Sequence, residues 1–404
     1  MRDLRAAMAL PGLRRLLVAQ VPADFADWLD FVAVGALIVY GWSLGAEALA
    51  FMTLAMGLPY VLVGPVAGAM VDRTDLRLAL VASNLGRSVA TLSLAFAGNI
   101  GVLLVLLFVR STADAFFTPA KQSAIQAVTP RDMLVPANGI SHSINQVSKV
   151  AGPAVGGLLL AFLHPSQVFF VNALLSASAA LLLMGMRFER HPEVGGEGSS
   201  LLQDWRSGIS EFRDKPILGL ALILMGTGMF FAFLYDALIP LLAKALSFDQ
   251  SVFGFAIAAA GAGGVLGGLA IGSLGNRLPP LVVMGLGFGI PAPLVIFGGA
   301  APLMQISMHP GVFIVLFAVI GLATAAIFVP YRTLIQTESA PDKIGRTSAV
   351  GEAFVTVSAL VAPFAGAALS HLFGVGWAFI IGGAALAVLG LSSAIAAAFR
   401  PAPR

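Results

Sequence analysis

The chain has 404 residues, no cysteine, a formal net charge of +3, 58% hydrophobic residues and only 11% charged ones. Soluble domains carry roughly 25% charged residues, so this surface is too poor in charge to face water. Disulfides, thiolate metal sites and thiol nucleophiles are excluded, and with a mean hydropathy of +0.93 the basic balance belongs to helix ends, not to a nucleic-acid surface.

Apolar runs of about 20 residues mark helices that cross a bilayer. In chain order they fall near 14–41, 47–71, 78–98, 100–120, 134–162 and 167–187, then near 216–245, 252–275, 280–302, 311–336, 346–370 and 374–399. Between the two sets, residues 188–215 hold HPEVGGEGSS and then LLQDWRSGISEFRDK, whose apolar spacing predicts a short surface helix. The expected class is an all-α membrane protein with twelve transmembrane helices. Six form a bundle over 1–187, six a bundle over 216–404, and 188–215 links them. Met1 to Arg15 lacks a small-residue cleavage site and runs into a span too long for a signal peptide. With both termini cytoplasmic, the lysines and arginines gather on one side, Lys121 and Arg332 among them, and the opposite loops offer Lys244. Such an asymmetry follows the positive-inside rule.

The first span carries Asp24, Asp27 and Asp30 at i, i+3 and i+6, along one drifting stripe. A charge at the bilayer centre costs about 2.5–3.5 kcal/mol even on lenient insertion scales, so these acids need a reason. Asp27 and Asp30 read as proton-titratable groups or as contacts for a cationic or metal substrate; Asp24 lies nearer the cytoplasmic end. After the second span comes Gly68-Ala-Met-Val-Asp72-Arg73-Thr-Asp75-Leu-Arg77. Its glycine lets two helices approach closely, and its charges suit a gating network. The third span holds Arg87, which with Gln20 and Asn172 reads as a helix-packing or interfacial group. The fourth holds Arg110 and Asp114 one turn apart, where the acid either couples to protons or merely satisfies the arginine. The fifth aligns His142, Asn145, Gln146 and Lys149 on a narrow polar face that must avoid lipid. Lys149 is expected either to compete with a proton for a first-span carboxylate or to lock the two helices together.

The halves repeat at an offset of about 210 residues. Phe117-Thr118-Pro119-Ala120-Lys121 is echoed by Phe328-Val329-Pro330-Tyr331-Arg332, and Ala151-Gly152-Pro153 by Val361-Ala362-Pro363. Two similar six-helix halves are a known transporter plan. In the second half Tyr235 and Asp236 lie in the seventh span and Glu352 in the eleventh. By the offset Glu352 corresponds to His142, and this pseudo-symmetric pair is the expected central site.

The segment from Gly68 to Arg77 resembles motif A of the major facilitator superfamily, G-x-x-x-D-R-x-G-R-R, with Asp75 and Leu76 departing from it. Gly139, Ser148, Gly152, Pro153, Gly156 and Gly157 resemble motif C of that superfamily's drug:proton antiporters, G-x8-G-x3-G-P-x2-G-G, with Ser148 replacing one glycine. The string FFTPAKQSAIQAVTP with the opening LRRLLVAQVPADFADWL is similar to the efflux branch that includes macrolide and enterobactin exporters. The resemblance implies two bundles in alternating access, the place of Arg110 as the motif B arginine implicated in proton coupling, and export of a drug, macrolide or siderophore. It further implies a multi-pass protein of the bacterial inner membrane, monomeric, working with a small molecule, protons and membrane lipid, and without cofactor or nucleic acid. Similarity also admits two other cargoes: a divalent metal at Asp24, Asp27 and His142, as in bacterial relatives of ferroportin, or a lysophospholipid. No P-loop, G-x-S-x-G elbow or H-E-x-x-H helix occurs, so nothing points to an enzyme.

Overall fold

The computed structural model describes residues 7–71, 73–188, 201–274, 278–340 and 343–398, and every regular element among them is helical. The first half contains α1 (Pro11–Ala36, continued by a π-helical turn, Leu37–Gly41), α2 (Ala46–Leu62), its continuation α3 (Gly64–Val71), α4 (Leu76–Leu94), α5 (Ile100–Val128), α6 (Leu134–Leu160) and α7 (Pro165–Met184). Then follow α8 (Leu201–Asp214), α9 (Pro216–Asp236), α10 (Ile239–Ala245), α11 (Gln250–Leu274), α12 (Pro280–Gly289), α13 (Ala292–Leu303), α14 (Pro310–Glu338), α15 (Ile344–Phe373) and α16 (Val375–Ala398). All twelve expected spans are present, and three are broken: α2/α3, α9/α10 and α12/α13. Two of the breaks stand at prolines, Pro240 at the start of α10 and Pro291 before α13, where a missing N–H interrupts the helical ladder.

Short polar side chains set the helix starts. Asp75 accepts from the Leu78 N–H at 2.9 Å and caps α4, and Asn99 accepts from Val102 N–H at 3.0 Å and caps α5. His309 does the same for α14 through Gly311 N–H at 3.1 Å. An N-cap of this kind stabilises a helix by about 1 kcal/mol. Asp75, which departs from motif A, therefore has a local job.

The chain divides into two compact units, Met1–Leu44 with Phe51–Val194, and Gly45–Ala50 with Gly195–Arg404. Within the first, α1 packs on α6 and α7, α4 on α7 and α5, and α3 on α5. Within the second, α9 packs on α15 and α16, α12 on α16 and α14, and α11 on α14. Span for span these are the same neighbours, so the internal repeat seen in the sequence is also a repeat of packing.

The helix α8 belongs to the second unit. A Cβ on its Gly208 would lie 2.7 Å from the Arg346 carbonyl oxygen, so only glycine lets α8 lie this close to α15. Glu211, buried, accepts from Lys343 at 3.0 Å and from the Ala340 N–H at 3.3 Å, and pairs with Lys215 at 3.0 Å. These donors, Lys343 first, hold its carboxyl down at about 2 against an ordinary 4.5.

Candidate functional site

A helix in lipid satisfies its own backbone, so each buried charge on α1 must find a partner on another helix. Asp27 accepts from Arg110 of α5 at 2.6 Å and also from Arg87 of α4. Asp30 pairs with Arg110 at 2.9 Å and accepts from Asn172 of α7 and from Thr91 at 3.4 Å. Asp114 of α5 pairs with Arg87 at 2.9 Å and accepts from the Tyr60 hydroxyl of α2. Five helices of the first unit are thereby tied to one buried cluster. It contains three carboxylates and two guanidiniums, one negative charge in excess when all are ionised. Of the three acids only Asp27 opens to solvent, with its side chain 22% exposed against 0% for Asp30 and 6% for Asp114.

A second cluster lies along the same stripe of α1. Asp24 accepts from Lys121 at 3.2 Å, from Gln20 at 2.7 Å and from Asn145 at 3.3 Å, and Ser141 of α6 donates to Gln20 at 2.8 Å. Phe117 lies between the two clusters, with Arg87 at 5.5 Å and Lys121 at 5.2 Å from its ring centroid. Both distances suit cation–π attraction.

Several expectations change here. Arg87, Gln20 and Asn172, expected as packing or interfacial groups, join helices as members of these buried clusters. Asp114 is bonded by Arg87 and Tyr60, not satisfied within its own helix by Arg110. Lys121 is buried against Asp24 and does not belong with the exposed positive charges. It reaches the Asp24 carboxylate of α1, and Lys149 stands over the Trp28 ring at 5.4 Å. Asp24, Asp27 and His142 do not converge on a metal: the two acids face different cations, His142 is exposed, and no metal-binding group of three occurs among the described residues.

The Major Facilitator Superfamily model matches residues 16–302 and 232–404. The chain belongs to the major facilitator superfamily. It is a multi-pass membrane transporter and not an enzyme. It is 26% identical over 393 residues to the MFS-type transporter YfiS of Bacillus subtilis, covering 95% of this chain and 93% of that one. Macrolide efflux protein A of Enterococcus faecalis is 26% identical over 318 residues, covering 75% and 95% respectively. In fold, a bacterial homologue of the human lysosomal transporter Spinster superposes with a TM-score of 0.69 at 17% identity, covering 96% of each chain.

The superfamily motifs occupy distinct places in this member. In motif C, a Cβ on Gly152 would lie 2.7 Å from Trp28 Cβ and 3.0 Å from the Phe25 carbonyl oxygen, and one on Gly156 would lie 3.5 Å from Val32. With Pro153 inside α6 and Gly157 buried, this glycine face is what brings α6 against α1. In motif A, a Cβ on Gly68 would meet nothing within 4 Å, so the close approach expected of it is not made. Arg73 and Arg77 are exposed, and Asp72 lies outside the described residues. On the polar face of α6, His142 and Lys149 are exposed and Asn145 is half-buried, while the side chain of Gln146 lies outside the described residues.

The second unit is sparser. Tyr235 is buried with its ring 5.0 Å from Phe379. Asp236 ends α9, and among the described residues it forms no ion pair. Glu352 is 64% exposed and pairs with Arg332 at 3.5 Å. His142 and Glu352 thus lie on different units, each exposed on its own. Tyr60 escaped the sequence reading, and Arg87 and Asn172 read there only as packing or interfacial groups, because their partners are 54, 60 and 142 residues away. Arg87 carried a usable signal: it stands mid-helix in α4, too deep for its side chain to escape to water.

Proposed function

We propose that the protein is a proton-coupled exporter of small organic molecules of drug, macrolide or siderophore type. It works as a monomer in a bacterial inner membrane with both termini cytoplasmic. The observation that carries the coupling is the charge excess of the buried cluster. Three carboxylates against two guanidiniums leave one negative charge unmatched, and a buried unmatched charge is costly. A proton supplies the missing positive charge.

Asp27 is the carboxylate that receives it. It alone of the three opens to solvent, and it bridges both arginines. Once Asp27 is neutral, two matched pairs remain, Arg110 with Asp30 and Arg87 with Asp114. Proton entry therefore releases the ionic bonds of Asp27 to α4 and α5 without leaving an arginine unpaired. Alternating access needs such a discrete rearrangement of packed helices.

The outward direction is supported by the relatives named for macrolide efflux and by the glycine–proline face of α6. The polar face of His142, Asn145, Gln146 and Lys149 is the substrate-contacting surface of the first unit. Tyr235, Asp236 and Glu352 serve the second. Arg73 and Arg77, with Asp72, form the cytoplasmic gate, and Gly68 packs closely only in another state of the cycle.

The test is accumulation by inside-out vesicles of a panel of macrolides, cationic dyes and siderophores under an imposed pH gradient. At least one compound should accumulate and be released by a protonophore. Accumulation of none, or accumulation indifferent to the protonophore, would refute the reading.

A further inference from the structure

Tyr60 reaches the buried cluster from a lightly packed stretch of helix. Its hydroxyl donates to Asp114, yet Tyr60, Val61 and Leu62 are 41%, 47% and 57% exposed. A Cβ on Gly64, just beyond them, would meet nothing within 4 Å. Side-chain packing does little to hold this end of α2, so the bond to Asp114 weighs more here than it would in a packed core.

The same stretch is where the helix bends most easily. Pro59 lies in the last turn of α2 and Pro65 in the first turn of α3. Neither supplies the N–H that a helix sends four residues back, to the carbonyls of Ala55 and Val61. Between the prolines, the Val63 N–H donates to the Pro59 carbonyl at 2.7 Å, and the Val63 carbonyl accepts from Ala67 at 2.7 Å. Beyond this joint α3 packs on α5. Prolines are a common cause of sharp helix bends.

The charges behind the hydroxyl come from three helices: Asp27 and Asp30 of α1, Arg87 of α4, and Arg110 and Asp114 of α5. Asp24 and Lys121 stand across Phe117 from them. With every acid ionised, Arg87 is shared between Asp27 and Asp114, and Asp114 draws on Tyr60 as a neutral donor. A hydrogen bond to a charged acceptor is about twice as strong as one between neutral groups. Once the cluster takes up a proton at Asp27, Arg87 serves Asp114 alone. The carboxylate is then better neutralised and holds the hydroxyl less firmly.

We propose that Tyr60 is a tether released by protonation: its hydroxyl holds α2 against α5 while the cluster carries its excess negative charge, and frees α2 to swing about Val63 once a proton enters. Tyr60 is a positioning residue, touching neither substrate nor proton. The inference rests on the reading of the cluster as the proton site and names the helix that answers to it.

The chain has no cysteine, so two introduced ones carry the only labels. Glu47→Cys stands exposed in the first turn of α2, and Gly98→Cys is exposed between α4 and α5 with open space around it. Nitroxides at both sites give a distance by pulsed electron paramagnetic resonance in the purified full-length protein, without substrate or gradient. Glu47 lies about 24 Å along α2 from Val63, so a swing of about 10° lengthens the distance by roughly 4 Å.

That lengthening is expected between pH 8 and pH 5 in the labelled protein. Tyr60→Phe should show the long distance at both pH values, and so should Asp27→Asn, whose cluster is balanced without a proton. Asp114→Asn cuts the tether from the acceptor's side and should do the same, so the test does not depend on one variant folding. A distance indifferent to pH in the labelled protein overturns the tether. So does an undiminished pH response in Tyr60→Phe or in Asp114→Asn, and a long distance in Asp27→Asn would then leave the proton site standing. If Tyr60→Phe is fixed while Asp27→Asn still responds, the tether stands and Asp27 is not the proton site.

Discussion

The two units share a pattern of helix contacts yet hold their helices together by different chemistry. In the first, α5 carries Arg110, which pairs with Asp27 and Asp30. At the offset that relates Lys121 to Arg332, the matching position in α14 is Gly321, and Asp114 is matched by an alanine. Gly321 lies against the Ala260 carbonyl of α11, closer than any side chain permits, and Gly263 lies likewise against the Ala318 carbonyl of α14. One unit is tied by buried charge, the other by backbone approach through glycine. Charge ties answer to protons and glycine ties do not. That difference is the reason for proposing the proton site in the first unit.

The sharpest way to break the comparison is to remove a guanidinium. Arg110→Leu leaves the buried Asp30 without an ionic partner and Asp27 with Arg87 alone, so about 3–5 kcal/mol of stability should be lost, read as a large fall in melting temperature in detergent. Arg87→Leu should behave alike. If either variant melts as the wild type does, the cluster is not holding the first unit together.

Next in size is the glycine contact. Gly321→Ala forces a Cβ into the Ala260 carbonyl, and overpacking of this kind costs about 1–3 kcal/mol. The loss should be the same at pH 5 and pH 8, since no titratable group takes part. A pH-dependent loss would blur the distinction between the units.

A loss of similar size is expected at α8. Glu211→Gln removes a charged acceptor with three donors and should cost about 1–3 kcal/mol at neutral pH. Its carboxyl titrates at about 2 in the folded protein against an ordinary 4.5. The stabilisation is therefore complete above the ordinary value and is lost as pH falls from there towards 2. Acid titration of unfolding should show the gap between wild type and variant closing over that window. A constant gap would mean that Glu211 acts by packing and not by charge.

Much of the fold was legible because bilayer thickness dictates helix length, and most apolar runs end within a few residues of the helices. The interruptions at Val63, at Ala237–Leu238 and at Ile290–Pro291 were not seen, since such breaks leave mean hydropathy unchanged. The acids of α1 were legible by their misfit in an apolar run. Their partners were not, because Tyr60 and Asn172 are ordinary residues until the fold brings them to Asp114 and Asp30. Lys121 misled because four residues of repeat motif before it resembled a helix end, while α5 runs on to Val128.

The central claim is that Asp27 carries the coupling proton, and Asp27→Asn in proteoliposomes tests it most directly. The variant leaves two acids matched to two arginines, so it should keep the melting temperature of the wild type. It should still exchange substrate down its concentration gradient while no longer responding to an imposed pH gradient. Gradient-driven accumulation by a folded Asp27→Asn protein, at the wild-type level, would contradict the account.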